Sequence, residues 1–208
     1  SLPVLLDILK SGGIFAVDVT LRPQDLKPGD FEPYDVLISH WNGWGSRAEV
    51  TDWPGPTRRA YLDFVREGGG HVVVHAGSSS FYDDPEFQKL YGATWKRGQT
   101  GHGPVHEFEV RIANPDHPVT RGMEGFTTKD ELWHRPGVQP GVTVLTEAYS
   151  SKDQRGTGEW EPSAMVNDFG EGRNFALLLG HNAHPMRNEG FGRLLRRGTE
   201  WAATGEVR

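Results

Sequence analysis

The sequence predicts an α/β protein: a mostly parallel sheet, covered by helices on both faces, carrying a β-rich antiparallel elaboration. Three observations predict it. Apolar runs such as "YDVLISH" and "HVVVHA" read as strands buried on both faces. Helical patterns separate these runs in the first half of the chain. Later segments shorten and alternate, as in "VHEFEVRI", where Phe108, Val110 and Ile112 share one face and Glu107, Glu109 and Arg111 the other. A chain of 208 residues fits one domain over 1–208.

The elements follow in order. Leu2, Leu5, Leu6 and Leu9 recur at helical spacing, with Pro3 in the first turn and Gly12 past the last, so the chain opens on a short helix. "IFAVDVT" alternates and predicts a strand over 14–20, and the Pro-, Asp- and Gly-rich stretch 22–33 predicts a loop. "YDVLISH" predicts a strand ending at His40, and "WNGWG" a loop. "PTRRAYLDFVREGGG" predicts a helix closed by glycines, with Tyr61, Leu62 and Val65 facing inward. "HVVVHA" is a strand and "PEFQKLYG" a short helix. Further strands are predicted at 105–112, 130–134, 142–149 and 163–168, and "GEGR" turns the last into "NFALLLGH" as a hairpin. "GFGRLLRRGTEWAATG" is a closing helix. The arrangement is that of a flavodoxin-like, doubly wound sheet. Such sheets usually open on a central strand, so a first strand is expected before Ser1.

Composition excludes several classes of function. The net charge is −6, and no basic block stands out except Arg193, Arg196 and Arg197 on the closing helix, which disfavours nucleic acid as a partner. The absence of cysteine removes thiol nucleophiles, thiolate metal sites and disulfides. No apolar run approaches the roughly 20 residues that span a bilayer, and no leader is evident, so no membrane partner is expected and a cytoplasmic location is favoured. The chain begins with Ser1, so the native N-terminus is expected outside this sequence. Homo-oligomerisation is left open.

Three apolar strands each finish on a histidine: His40, His75 and His181. Ligands of open parallel sheets bind at the carboxyl ends of the strands, so parallel neighbours would bring these rings to one crevice. A single such histidine more often satisfies a loop carbonyl; three together point to a site. His102 and His106 would lie about 13 Å apart on a continuous strand, so only a bent loop would let both reach one metal. Asp130 and Glu131 point to opposite faces of a strand, so one of them can enter a given pocket as acid–base partner or ligand. Trp41, Asn42 and Trp44 follow His40, and Trp133 follows the acidic pair. Indole faces suit the C–H faces of a sugar, although tryptophans serve equally as packing residues. The serines 78–80 lack the G-x-S-x-G pattern of a hydrolase, so Ser78 is read as a helix cap or a contact for a ligand hydroxyl.

In order, "YDVLISHWNGW", "FVREGGGHVVVHAGSSSF", "HGPVHEFEV", "PDHPVTRGM", "DELWHR", "GTGEWEPSAMVNDFGEGRNFALLLGH" and "GFGRLLRRGTEWAATGEV" cover nearly the whole chain. The set resembles the trehalose-utilisation (ThuA-like) family, whose fold is that of the class I glutamine amidotransferases. The resemblance implies that His75 occupies the turn where amidotransferases hold cysteine, which excludes glutamine hydrolysis here. It implies a strand with an Asn/His-bearing loop ahead of Ser1, and a role in sugar catabolism. The family pattern "DE-L/I-Y" has Trp133 in its aromatic place.

The expectation is an enzyme acting on a sugar or keto-sugar by proton abstraction next to a carbonyl. His75 or His181 would be the base, with Glu131 or Asp130 assisting, and Trp41, Asn42, Trp44, Ser78 and Trp133 would contact the substrate. A divalent metal ion held among His40, His102, His106 and His181 is an optional cofactor. The alternative is a non-catalytic sugar-binding or regulatory module using the same crevice.

Overall fold

The computed structural model describes residues 1–42 and 53–208, so Trp44 lies outside the described residues. Its centre is a seven-stranded sheet. The strands are β1 (Val36–Ser39), β2 (Gly70–Val74), β5 (His106–Ile112), β6 (Phe126–Asp130), β9 (Thr143–Tyr149), β10 (Trp160–Phe169) and β11 (Gly172–Leu177), in the order β1-β2-β11-β10-β9-β5-β6. Two short ladders lie apart: β3 (Ala93–Thr94) with β8 (Gly137–Val138), and β4 (Gly101–His102) with β7 (Trp133–His134).

The mixed α/β class stands, but the sheet is mostly antiparallel rather than mostly parallel. Only β1, β2 and β11 run parallel; every other pairing in the large sheet is antiparallel. The cause lies in the connections. β1 reaches β2 through a covering helix, α2 (Gly55–Arg66), which a parallel pair requires, whereas Gly170 and Glu171 turn β10 straight back into β11. The strand expected over 14–20 does not form. The segment packs Phe15 and Val17 against the core, but its backbone joins no ladder among the described residues, and Ile14 and Val19 are exposed. The strand expected over 130–134 is broken after Asp130, and β7 pairs elsewhere.

The helices form as their patterns dictate. α1 (Leu2–Lys10) buries Val4, Leu5 and Leu9. α3 (Pro85–Tyr91) is capped by the Asp84 carboxylate, which accepts from the Glu86 N–H. A short α4 (Ala183–Met186) precedes α5 (Glu189–Thr204), which is capped by Asn188 and closed at Gly205. α1 and α5 cover one face of the sheet, α2 and α3 the other. Val72 and Val74 pack with Leu5, Phe191 and Leu194 on the first; Val73 packs with Tyr61, Leu62 and Phe87 on the second. No valine of β2 touches solvent. Each contributes about 1.5–3 kcal/mol of burial, which makes β2 the rigid base of whatever follows its carboxyl end. No helix among the described residues is long and apolar enough to cross a membrane.

One polar network lies inside the second core. His71, wholly buried on β2, donates from Nδ1 to the Asn174 Oδ1 at 2.6 Å and accepts the Tyr61 hydroxyl at Nε2 at 2.7 Å. An amide oxygen can only accept, so the ring is the neutral Nδ1–H tautomer. Burial pushes its pKa from 6.5 to about 4, partly opposed by the Asn174 bond. Below pH 6.5 the unfolded chain therefore binds a proton that the folded chain refuses. Above pH 6.5 this contribution is complete; about 3 kcal/mol of stability is expected to drain away as the pH falls to about 4. Denaturant unfolding of the wild type and His71→Gln over this range checks it, since the difference between the two should shrink steadily with falling pH.

Candidate functional site

Because β1, β2 and β11 are parallel neighbours, their carboxyl ends open on one edge. His40 directly follows β1, His75 directly follows β2, and His181 lies in the loop beyond β11. His75 sits at the start of a 3₁₀ turn, His75–Ser79, with φ 44°, a left-handed conformation that costs a non-glycine residue about 1–3 kcal/mol. The turn is tight because Gly77 passes under β1: a Cβ there would stand 2.6 Å from the Ser39 carbonyl oxygen. The His75 ring is 2% exposed, and its Nδ1 donates to the Leu178 carbonyl at 2.7 Å, which leaves Nε2 as an acceptor facing Glu131 and His181.

Glu131 is the residue around which the imidazoles gather. Its Oε1 lies 3.6 Å from His75 Nε2, and its Oε2 lies 3.3 Å from His102 Nδ1 and 3.5 Å from His181 Nδ1. His181 Nδ1 is in turn 3.3 Å from His75 Nε2. The Trp133 indole N–H donates to Oε1 at 3.4 Å. Burial alone would raise the Glu131 pKa, but the imidazoles of His75, His102 and His181 around it outweigh burial and hold the carboxyl below its usual range. His102 and His181 are 44% and 41% exposed, so solvent and ligands reach the cluster from their side. His75, Glu131 and His181 are also the group, among the described residues, whose ligand atoms all lie within 4.8 Å of one another and could hold a metal ion.

Asp130 does different work. It is 1% exposed, and its carboxylate accepts three backbone N–H groups: Gly180 at 2.6 Å, Glu131 at 2.8 Å and His181 at 3.1 Å. Burial raises its pKa, and those amide bonds oppose the rise. The expected alternation holds in outcome: one acid turns to the backbone, the other to the imidazoles.

The remaining candidates fall outside the cluster or change role. His40 is half-buried; burial lowers its pKa, with the nearby His75 adding to the effect, and its Nδ1 has no hydrogen-bond partner among the described residues. His106 binds the Pro104 carbonyl through Nδ1 and packs on Phe108, so it is not among the residues that meet Glu131. Ser78 is fully buried and donates to the His75 carbonyl, which makes it a brace for the turn. Trp133 is 3% exposed, set edge-on to Trp95, with no open face for a sugar. Trp41 is half-buried and stacks on Phe81, and Asn42, exposed, accepts from Ser79 at 3.5 Å. The Leu178 carbonyl and the Gly180 amide are functional groups that no side-chain pattern signals. Two clefts lie elsewhere, about 490 Å³ beside Tyr82 and Lys96 and about 610 Å³ beside Phe31 and Phe64. Neither holds a comparable set of chemical groups, so the site is placed by its chemistry.

Removing the Asp130 carboxylate strands three buried donors. Asp130→Ala is expected to cost about 3 kcal/mol or more, and Asp130→Asn less, because its amide oxygen still accepts. Equilibrium urea unfolding of both variants measures the difference.

A family model described as ThuA, trehalose utilisation, matches residues 1–202. The chain is similar to the crystal structure of a ThuA-like protein from Parabacteroides merdae, with 32% identity, a TM-score of 0.86, and coverage of 99% of this chain and 85% of that one. A ThuA-like protein from Bacteroides uniformis shares 19% identity with a TM-score of 0.74, over 99% of this chain and 85% of that one. A cytoplasmic protein from Salmonella typhimurium shares 13% identity with a TM-score of 0.69, over 96% of this chain and 85% of that one. At those lower identities the likeness is one of fold. No curated protein matches the chain. From its first residue to its last helix the chain follows one family's pattern, and it belongs to the ThuA, trehalose-utilisation family.

Proposed function

We propose that this protein is an enzyme of carbohydrate catabolism that acts on a sugar or keto-sugar by moving a proton next to a carbonyl. The observation that carries this reading is one carboxylate, Glu131, with three imidazoles against it at the mouth of the parallel strands. The family description supports a carbohydrate substrate. The preference for a keto-sugar is chemical: a carbonyl acidifies the adjacent C–H, which an imidazole acting near neutral pH needs.

His102 and His181 are the groups a substrate can reach. One imidazole takes the proton from carbon and the other delivers a proton to the enolate oxygen. Glu131 lies between them and balances the charge as the proton moves. His75 lies enclosed behind Glu131, whose carboxylate accepts the Trp133 indole N–H. Of the two described tryptophans expected to bind sugar, only Trp41 retains exposed surface for that role.

Incubation with keto derivatives of trehalose and glucose in D₂O, followed by NMR, tests the reading. Deuterium is expected beside the carbonyl. Glu131→Gln is expected to lower the exchange rate by about 100-fold or more, with its circular dichroism unchanged. Sugar binding by the wild type with neither exchange nor product would put the non-catalytic binding module in its place.

A further inference from the structure

Two hydrogen-bond acceptors face each other at the centre of this site. The Leu178 carbonyl can only accept, so His75 Nδ1, 2.7 Å away, carries the ring proton and Nε2 holds a lone pair. That lone pair looks at an oxygen of Glu131, 3.6 Å away and also an acceptor. His181 Nδ1 completes a triangle, 3.3 Å from the lone pair and 3.5 Å from the other Glu131 oxygen. Ordinary hydrogen bonds to nitrogen donors run about 2.7–3.2 Å, so all three edges are too long for good ones. They match another geometry. A tetrahedral cation with bonds of about 2.1 Å sets its ligands about 3.4 Å apart.

We propose that His75 Nε2, His181 Nδ1 and the Glu131 carboxylate bind one divalent transition-metal cation, zinc before others, in a four-coordinate site with its fourth position open. Two imidazoles and one carboxylate suit zinc better than magnesium or calcium, which take oxygen ligands. Three protein ligands and an open position are the pattern of a catalytic rather than a structural ion. The outer shell is in place. The Leu178 carbonyl sets the His75 tautomer, and the Trp133 N–H reaches Glu131. The buried Asp130 carboxylate holds the backbone N–H groups of both Glu131 and His181, so two of the three ligands hang from one anchor. The inference rests on reading this cluster as a reactive centre. It gives the ion the task of polarising the substrate carbonyl and leaves His102, at the exposed rim, for proton transfer.

The test uses the whole chain, stripped with a chelator and titrated with zinc by calorimetry, with metal content read by plasma mass spectrometry after dialysis. One equivalent is expected. Glu131→Gln and His181→Asn should each weaken binding by about 100-fold or more. His184→Gln, an exposed histidine outside the cluster, should leave it unchanged. Cobalt in place of zinc should give the intense visible bands of a tetrahedral centre, a readout of the wild type that depends on no variant's folding. Failure to bind one equivalent, or equal binding by the wild type and Glu131→Gln, overturns the site. One bound equivalent in a protein that turns over no sugar keeps the ion and removes the sugar chemistry; turnover with no equivalent bound does the reverse.

Discussion

The site depends on one buried carboxylate that ties the antiparallel edge of the sheet to the loop beyond its interior strand β11. Asp130 ends β6, at the antiparallel edge, yet it accepts the amides of Gly180 and His181 in the loop past β11. Four strand spacings separate β6 from β11, about 19 Å in a flat sheet. Leu178 and Leu179 supply only about 7 Å of reach. A 2.6 Å bond to Gly180 therefore requires the sheet to curl until its antiparallel edge faces the carboxyl ends of its parallel strands. The curl makes the cleft, and the carboxylate holds it closed. Gly180 suits the closure: its φ is 98°, and a Cβ would stand 2.6 Å from the Phe191 ring.

Adjacent acids come to opposite uses because the chain leaves its ladder between them. Up to Asp130 the strand imposes period two and sends that side chain inward, where three N–H groups replace its water. From Glu131 the chain no longer pairs with β5, and Trp133 and His134 join β4 instead. That second pairing sets Trp133 opposite His102 and brings the His102 ring to Glu131. A two-residue ladder thus decides which of the two loop histidines, His102 or His106, joins the cluster.

Much of this was legible in the sequence, and the illegible part has a common cause. The helices announced themselves through Leu5, Leu9, Tyr61 and Val65, whose spacing states which face is buried. The strand-end histidines were legible because an apolar run that stops on a polar residue marks where a strand leaves the core. Strand direction was legible in part: the alternation of β5 and the "GEGR" turn marked an antiparallel elaboration, but not that antiparallel pairings would outnumber parallel ones in the large sheet. The roles of Asp130, Ser78 and Trp133 were hidden because their partners are the amide of Gly180, the carbonyl of His75 and a carboxylate two residues away. Backbone groups are the same at every position, so no residue pattern reports which of them a side chain will meet.

His75 carries the strain of the arrangement without meeting bulk solvent. A residue held at φ 44° and 2% exposed gives up backbone stability and gains no direct access in return. What the conformation secures is direction. Had the chain continued as a strand, alternation would have sent the next side chain into one face of the sheet, among the valines. The left-handed turn instead lifts the ring over the carboxyl end of β2, where the Leu178 carbonyl of the neighbouring strand's extension takes the Nδ1 proton. The Nε2 lone pair is then set by a rigid central strand on one side and a backbone carbonyl on the other. Every other group in the cluster is arranged against that lone pair: His181 at 3.3 Å, Glu131 at 3.6 Å. A histidine placed there by a flexible loop could turn to solvent and satisfy itself with water. Strain, burial and a fixed tautomer together deny it that escape, and so keep an acceptor aimed at the centre of the site.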